Sequence, residues 1–141
     1  MITAVDTNVL LDILLPDEQF AGRSTRALES AAAAGSMVIC DIVYAELCVH
    51  FDLQEDCDEF LRDAGIRPEA LGTRACFLAS RAWRKYRQHG GKRERILSDF
   101  LIGAHAETQA SRLLTRDRGF YRKMFPGLEL LEPGHFSSLQ A

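Results

Sequence analysis

The stretch Ile2-Thr3-Ala4-Val5-Asp6-Thr7-Asn8-Val9-Leu10-Leu11-Asp12-Ile13-Leu14-Leu15-Pro16 sets the pattern for the whole chain. Its opening run, residues 2–5, is short and apolar and suits a buried strand that ends at Asp6. Residues 7–15 read as a helix that Pro16 stops, because proline has no amide to donate and clashes with the preceding turn. Moving outward, a second helix is expected over residues 17–34, with Gly35 at its C-terminal cap. A strand over residues 36–40 follows, then a helix over residues 42–51 with Asp41 as its N-cap, and another over residues 54–64 closed by Gly65. The order β, α, α, β, α, α favours a parallel sheet with helical crossovers.

Residues 69–88 carry the clearest amphipathic pattern. Leu71, Ala75, Leu78, Ala79, Ala82, Trp83 and Tyr86 recur at helical spacing, while Arg74, Arg81 and Lys85 share another face. His89, Gly90 and Gly91 break that helix, and residues 92–97 form a basic loop. A further helix starts at Ser98 and Asp99 and runs to about residue 110; residues 112–115 are a strand, 120–125 a turn of helix, and 128–131 a last strand. No repeat, low-complexity run or linker interrupts the pattern. Residues 1–141 are therefore expected to form one α/β domain around a central, mainly parallel sheet of four to five short strands.

With 47% hydrophobic and 26% charged residues, the composition is that of a folded domain and not of a disordered or fibrous chain. The net charge of −3 conceals two opposed halves. Residues 1–63 carry three basic against thirteen acidic side chains, and residues 64–141 fourteen basic against seven acidic. Such asymmetry suits cation capture on one side and a polyanionic partner on the other. The longest apolar runs fall short of the roughly 20 residues a membrane span needs, and no basic segment precedes residues 2–5, so a cytoplasmic protein is expected. Cys40, Cys48, Cys57 and Cys76 lack zinc-site spacing and read as buried, reduced thiols.

In a parallel sheet wrapped by helices, ligands bind in the crevice outside the C-terminal edge of the strands. Asp6 closes the first strand, Asp117 follows the strand over residues 112–115, and Asp99 opens a helix at the same edge. Glu46, the one charge between Ile42 and Val49, can lean over that crevice from the helix after the second strand. Two like charges 4 Å apart repel by ~4 kcal/mol at an effective dielectric near 20, so such a cluster needs a cation or raised pKa values. Oxygen ligands of this kind suit Mg²⁺ or Mn²⁺ with open positions, which can polarise a phosphodiester and activate water. Each acid also has a plainer use: Asp6 as N-cap, Ser98 with Asp99 as a cap pair, Asp117 as a turn residue, and Glu46 in a structural salt bridge, since an acid on an apolar helix face is poorly solvated unless paired.

Taken together, Val5-Asp6-Thr7-Asn8-Val9-Leu10-Leu11-Asp12, Tyr44-Ala45-Glu46-Leu47, Ser98-Asp99-Phe100-Leu101-Ile102-Gly103-Ala104-His105-Ala106 and Leu114-Thr115-Arg116-Asp117 resemble the PIN-domain ribonucleases, and among them the VapC-type toxins of bacterial toxin–antitoxin systems. The resemblance covers essentially the whole chain, including the tail over residues 120–133. It implies a three-layer α/β/α PIN-like domain and Mg²⁺-dependent endoribonuclease activity, with Mn²⁺ a substitute ion. By resemblance Asp6, Glu46, Asp99 and Asp117 occupy the acidic, metal-holding catalytic positions, while Asn8 and Thr115, and Thr7 with them, orient the acids. It further implies a homodimer and a small antitoxin protein that covers the groove. Two departures stand out. Asp41 takes the place of a Ser or Thr cap and adds a fifth acid, and Gly103 takes the place of Ala, which should weaken its helix by up to about 1 kcal/mol.

Arg116 and Arg118 flank Asp117 and are candidate phosphate contacts, as are Arg81 and Lys85. With Arg74, the loop residues Lys92, Arg93 and Arg95, and Arg112, Arg122 and Lys123 they could border an acidic centre and track RNA, or be solvated helix surface. His50, His89, His105 and His135 are scattered and offer no pair for acid–base attack by the 2′-hydroxyl. Two other readings stay open: a PIN-like RNA-binding or interaction module with weak turnover, and a receiver-type phosphoacceptor, for which the expected acidic pair at the first strand end is missing. No glycine-rich nucleotide loop is present.

Overall fold

The computed structural model describes residues 1–91 and 97–134. Its elements are β1 (Ile2–Val5), α1 (Thr7–Leu14), α2 (Ala21–Ala34), β2 (Ser36–Cys40), α3 (Asp41–Cys48), α4 (Gln54–Ala64), β3 (Ile66–Glu69), α5 (Thr73–Gln88), α6 (Leu97–Gln109), β4 (Arg112–Leu114), α7 (Arg118–Met124) and β5 (Leu130–Leu131). The strands form one sheet in the order β3-β2-β1-β4-β5, every pair parallel, in a three-layer α/β/α arrangement. β1 is central and flanked on both sides, so Thr3, Ala4 and Val5 are fully buried. That is why its sequence is a continuous apolar run and not an alternating one. None of the described helices is long and apolar enough to cross a membrane.

The sequence pattern misses β3. Ile66-Arg67-Pro68-Glu69 carries two charges and a proline, which suit only an edge strand, and β3 is that edge. Glu69 pairs with Cys40 in the sheet, so the helix expected from residue 69 starts at Thr73. The Glu69 carboxylate bridges the edge to α6, accepting from His105 Nε2 at 2.9 Å and Gln109 Nε2 at 3.0 Å. His105 is thus a structural histidine at 1% exposure.

Two further boundaries move for local reasons. Asp17 accepts from the amides of Gln19 and Phe20 at 2.9 Å each, a side-chain turn that delays α2 from residue 17 to Ala21. Asp41 is not the N-cap of α3: Cys40 holds that place, and the Asp41 carboxylate accepts from the Leu71 amide at 3.2 Å. Gly35 and Gly65 stand at the C-caps of α2 and α4, as the pattern predicts. Cys40 and Cys57 are buried and Cys48 half-buried, all as free thiols, but Cys76 is exposed on α5.

α6 is packed on several sides, with Phe100, Ile102, Gly103, Ala104, His105 and Ala106 all buried. Phe100 anchors an aromatic cluster, its ring centroid 5.3 Å from Trp83, 5.4 Å from Tyr86, 5.2 Å from Phe120 and 6.4 Å from Phe125. The glycine at 103 follows from this packing, because a Cβ there would lie 2.4 Å from the Phe125 ring. Gly103→Ala gains about 1 kcal/mol of helix propensity but overpacks the core at about 1–3 kcal/mol. Denaturant unfolding should therefore show a net loss of about 1 kcal/mol, and the same change in a Phe125→Leu background should cost less; equal losses in both backgrounds would exclude the clash.

Candidate active site

Asp6 leaves β1 at the C-terminal edge of the sheet and caps α1, with Oδ1 accepting from the Thr7 amide at 2.8 Å. Its other oxygen accepts from Thr115 Oγ1 at 2.7 Å and Asn8 Nδ2 at 3.3 Å, and the Tyr121 hydroxyl donates a further bond to the carboxylate. The residue is only 6% exposed. Burial pushes its pKa up from 3.8 to about 6, against the lowering effect of the bonds from Thr115, Thr7 and Tyr121, and the charge of Asp99 pushes it the same way as burial. Capping and site readings of Asp6 therefore coexist in one side chain.

Asp99 lies half-buried in the first turn of α6. Asp117 precedes α7, yet its side chain makes no capping bond to that helix. The Tyr121 phenol, at 1% exposure, is driven well above its usual range by burial and then by Asp6, Asp99 and Asp117. One hydroxyl thus feels three carboxylates, so Asp6, Asp99 and Asp117 all lie within electrostatic reach of Tyr121.

Thr115 and Asn8 connect these acids. Thr115 Oγ1, fully buried, donates to Asp6 and accepts from the Asp117 amide at 2.9 Å. Asn8 donates to Asp6 while its Oδ1 accepts from the Arg116 amide at 3.2 Å. Thr7 Oγ1 donates to Glu46 Oε1 at 2.7 Å and tethers it at the rim. Glu46 is exposed, so the poorly solvated acid on an apolar face expected from the sequence is instead on the solvent side of α3. The acid stands clear of the helix's buried residues, Val43 and Leu47.

The donor set is all oxygen, which suits a hard divalent ion. Among the described residues no three His, Cys, Asp or Glu side chains close around one point. The arrangement is open, of the kind Mg²⁺ accepts, with one or two carboxylates and several waters. Ser98 Oγ, buried beside Asp99 with no hydrogen-bond partner, is a further oxygen that a hydrated ion could satisfy. The residues present therefore fit such an ion.

The basic border expected from the sequence divides. Arg116 is not available to a phosphate: its Nε and Nη2 grip Asp12 at 2.8 and 2.9 Å, and its guanidinium stacks on Phe20 at 4.0 Å. Asp12, 3% exposed, also accepts from Ser24 Oγ at 2.7 Å. Arg112 pairs with Thr3 in the sheet and donates to Thr3 Oγ1, at the opposite edge from Asp6. Arg81 stacks on Phe77 at 4.4 Å, and with Arg74 lines a groove against Glu107 and Thr108, eight residues or about 12 Å along α6 from Asp99. Arg118 makes only an exposed pair with Glu132 at 3.4 Å, and Lys85, Arg122 and Lys123 are exposed. Lys92, Arg93, Arg95 and His135 lie outside the described residues.

Sequence reasoning gave no role to Asp12 or Tyr121. Tyr121 falls in an aromatic run that reads as core, and only its position one turn after Asp117 could have marked it.

A parallel sheet with Asp6 buried just past its central strand, and Asp99 and Asp117 half-buried at the same edge, defines a class of α/β domain with an acidic crevice. Within that class the sequence profile of the PIN domain family matches residues 3–126, and the chain belongs to that family. A search of curated proteins gives no match. Solved structures with the same fold include a chain of VapBC2 from Rickettsia felis, crystallised with a DNA fragment of its promoter, at TM-score 0.71 and 21% identity, covering 94% of this chain and 98% of that one. FitAcB from Neisseria gonorrhoeae matches at TM-score 0.68 and 21% identity over 96% and 100% of the two chains. VapC20 from Mycobacterium tuberculosis, described as a sarcin-ricin loop cleaving toxin, matches at TM-score 0.52 and 16% identity over 79% and 86%.

Two outcomes follow from the geometry. Folding raises the Asp6 pKa, so its contribution favours the native state fully below about pH 3.8 and is lost as pH rises through about 6. In EDTA the wild type should therefore lose up to about 3 kcal/mol of thermal stability between pH 4 and pH 7 through Asp6, and Asp6→Asn, which cannot ionise, should lose correspondingly less over that range; equal losses in both would contradict the burial cost. For the Asp12–Arg116 pair the losses should be unequal. Arg116→Met, which strands a side chain 4% exposed, should cost about 3–5 kcal/mol, and Asp12→Asn, which leaves one 31% exposed, should cost less; urea midpoints decide the order.

Proposed function

We propose that this protein is a Mg²⁺-dependent endoribonuclease acting in the cytoplasm as the toxin of a type II toxin–antitoxin module. The observation that carries this reading is the acidic edge of a PIN-family chain, where buried Asp6 feels the charge of Asp99 and the Tyr121 hydroxyl feels Asp6, Asp99 and Asp117. The VapC20 likeness adds support, since that relative is described as cleaving the sarcin-ricin loop. Asp6, Asp99 and Asp117 would hold the ion, with Glu46 at the rim. Bound there, Mg²⁺, or Mn²⁺ in its place, would supply charge neutralisation and Lewis acidity for phosphodiester hydrolysis.

The chain's own residues supply the geometry. Thr115, Asn8 and Tyr121 fix the Asp6 carboxylate by donating to it, Thr7 fixes Glu46, and the Thr115 hydroxyl sets the Asp117 backbone. Arg118, in an exposed pair with Glu132, and Lys85 are exposed cations within reach of an RNA phosphate at the rim. The substrate is RNA with exposed single-stranded nucleotides, since a duplex hides its bases in a deep groove.

The partner is an antitoxin protein that sets an Arg or Lys among the same carboxylates, and the toxin is a homodimer. Exposed apolar side chains support such contacts: Leu15 after α1, and Val49 and Leu53 between α3 and α4, are 52%, 79% and 59% exposed. The complexes named for the structural relatives agree with an antitoxin partner.

The open spacing of the acids favours one rival, a PIN-like RNA-binding module with weak turnover. Incubation of the purified chain with total RNA decides between them. Cleavage should need Mg²⁺ or Mn²⁺, stop with EDTA, leave 5′-phosphate and 3′-hydroxyl ends, and vanish in Asp99→Asn. RNA binding without cleavage under any divalent ion establishes the rival, and cyclic 2′,3′-phosphate ends refute the metal-dependent chemistry.

A further inference from the structure

A cavity of about 360 Å³ opens between the C-terminal ends of α5 and α7, lined by Ala82, Lys85, Tyr86, His89, Gly90, Gly91, Lys123, Met124 and Pro126. Its volume falls in the range of small-ligand sites, about 300–1,000 Å³. None of its described lining residues is acidic, and two are lysines. Tyr86, Met124 and Pro126 supply apolar surface between those cations.

Its position ties it to the acidic edge. Tyr86 packs on Phe100, the residue after Asp99, with ring centroids 5.4 Å apart. Lys123 lies on α7, six residues or about 9 Å along the chain from Asp117. The wall is also shaped with care for space. Gly90 has φ +78°, a left-handed conformation that side chains avoid, and a Cβ on Gly91 would lie 2.6 Å from the Tyr86 ring. His89 Nδ1 is bonded to the Lys85 carbonyl at 2.8 Å, which holds the turn at the end of α5.

We propose that this cavity is a subsite for one nucleotide of single-stranded RNA, with phosphate held by Lys85 and Lys123 and the base lodged against Tyr86, Met124 and Pro126. Alternating cations and a ring face are how single strands are held without sequence preference. The subsite rests on the nuclease reading for its place along the substrate strand, while its chemistry is its own. It gives the acidic edge what that edge lacks: an attractive field for an anionic strand, beside carboxylates that repel it.

The test uses the three methionines as reporters: Met1 is exposed, Met37 is buried in β2, and Met124 lines the cavity. With methyl-labelled methionine and no divalent ion, hexaadenylate should shift the Met124 methyl signal and leave Met37 in place. Lys85→Glu with Lys123→Glu, both exposed positions, should keep the Met37 signal and weaken hexaadenylate binding about tenfold or more. The slope of log K against log salt should also flatten by about 1.4, the value for two lost phosphate contacts on a single strand. An unmoved Met124 signal at saturating hexaadenylate, or wild-type affinity and slope in the double variant, overturns the subsite. A shift caused by hexaglutamate and not by hexaadenylate also overturns it and assigns the cavity to an acidic polypeptide. The RNA cleavage assay separates the two readings. A Met124 shift without any cleavage leaves the subsite and removes the nuclease, and cleavage without the shift does the reverse.

Discussion

Asp6 directly follows the central strand of the sheet, which carries its carboxylate to the floor of the crevice, where water cannot solvate it well. The surroundings answer with donors from separate parts of the chain: the Thr7 amide and Asn8 from α1, Thr115 from the end of β4, and Tyr121 from α7. These bonds orient the charge without neutralising it. Asp99 then adds repulsion to Asp6, and Asp117 adds a third negative charge felt by the Tyr121 hydroxyl. The start of α1, the end of β4 and α7 are all tied to this one buried charge. A carboxylate held in this way, hydrogen-bonded yet disfavoured by burial and by a like charge, is one that a nearby cation would stabilise.

The positive charge nearest by sequence is used elsewhere. Arg116 adjoins Asp117, but its fork closes on Asp12 and its plane on Phe20. That pair joins α1, the segment before α2 and the turn after β4. Its backbone amide is meanwhile held by Asn8, which also touches Asp6. Arg116 thus acts as a strut for the turn that carries Asp117. The cations left for a substrate lie further out, on Arg118 and at the ends of α5 and α7, so the field changes sign from the floor of the crevice to its rim.

Much of this fold is legible in the sequence because β1, β2 and β4 are interior strands, buried and mainly apolar apart from residues such as Thr3, Ser36 and Arg112. β3 escapes notice because an edge strand needs no such run and tolerates Pro68. Candidate acids are legible for a topological reason: in a parallel sheet, residues just past strand ends share an edge whatever their separation in sequence. Pairing is not legible. Nothing in Thr115-Arg116-Asp117-Arg118 says which arginine turns inward, because that depends on Asp12 and Phe20, more than ninety residues earlier. Exposure along a short helix is equally hidden: Glu46 interrupts an apolar stretch, but at eight residues α3 leaves one side to solvent, and Glu46 lies on it. Gly103 reads as a weak helix residue until the Phe125 ring is seen in the place of its Cβ.

The opposed charges of the two chain halves acquire a physical meaning from the topology. β1 comes from the acidic half, while β4, α6 and α7 come from the basic half, and parallel pairing brings Asp6 together with Asp99 and Asp117. The repulsion on Asp6 exists only when the chain is folded, since an unfolded chain keeps Asp6 more than ninety positions from Asp99 and Asp117. Any cation that relieves it therefore binds the native state alone and stabilises it by mass action. A divalent ion and a guanidinium offered by a protein partner would draw on the same repulsion, so each would weaken the other's binding by the share of charge it had already neutralised. An inhibitor aimed at these acids would draw on one well-placed positive charge in a crevice that the sheet has already made negative.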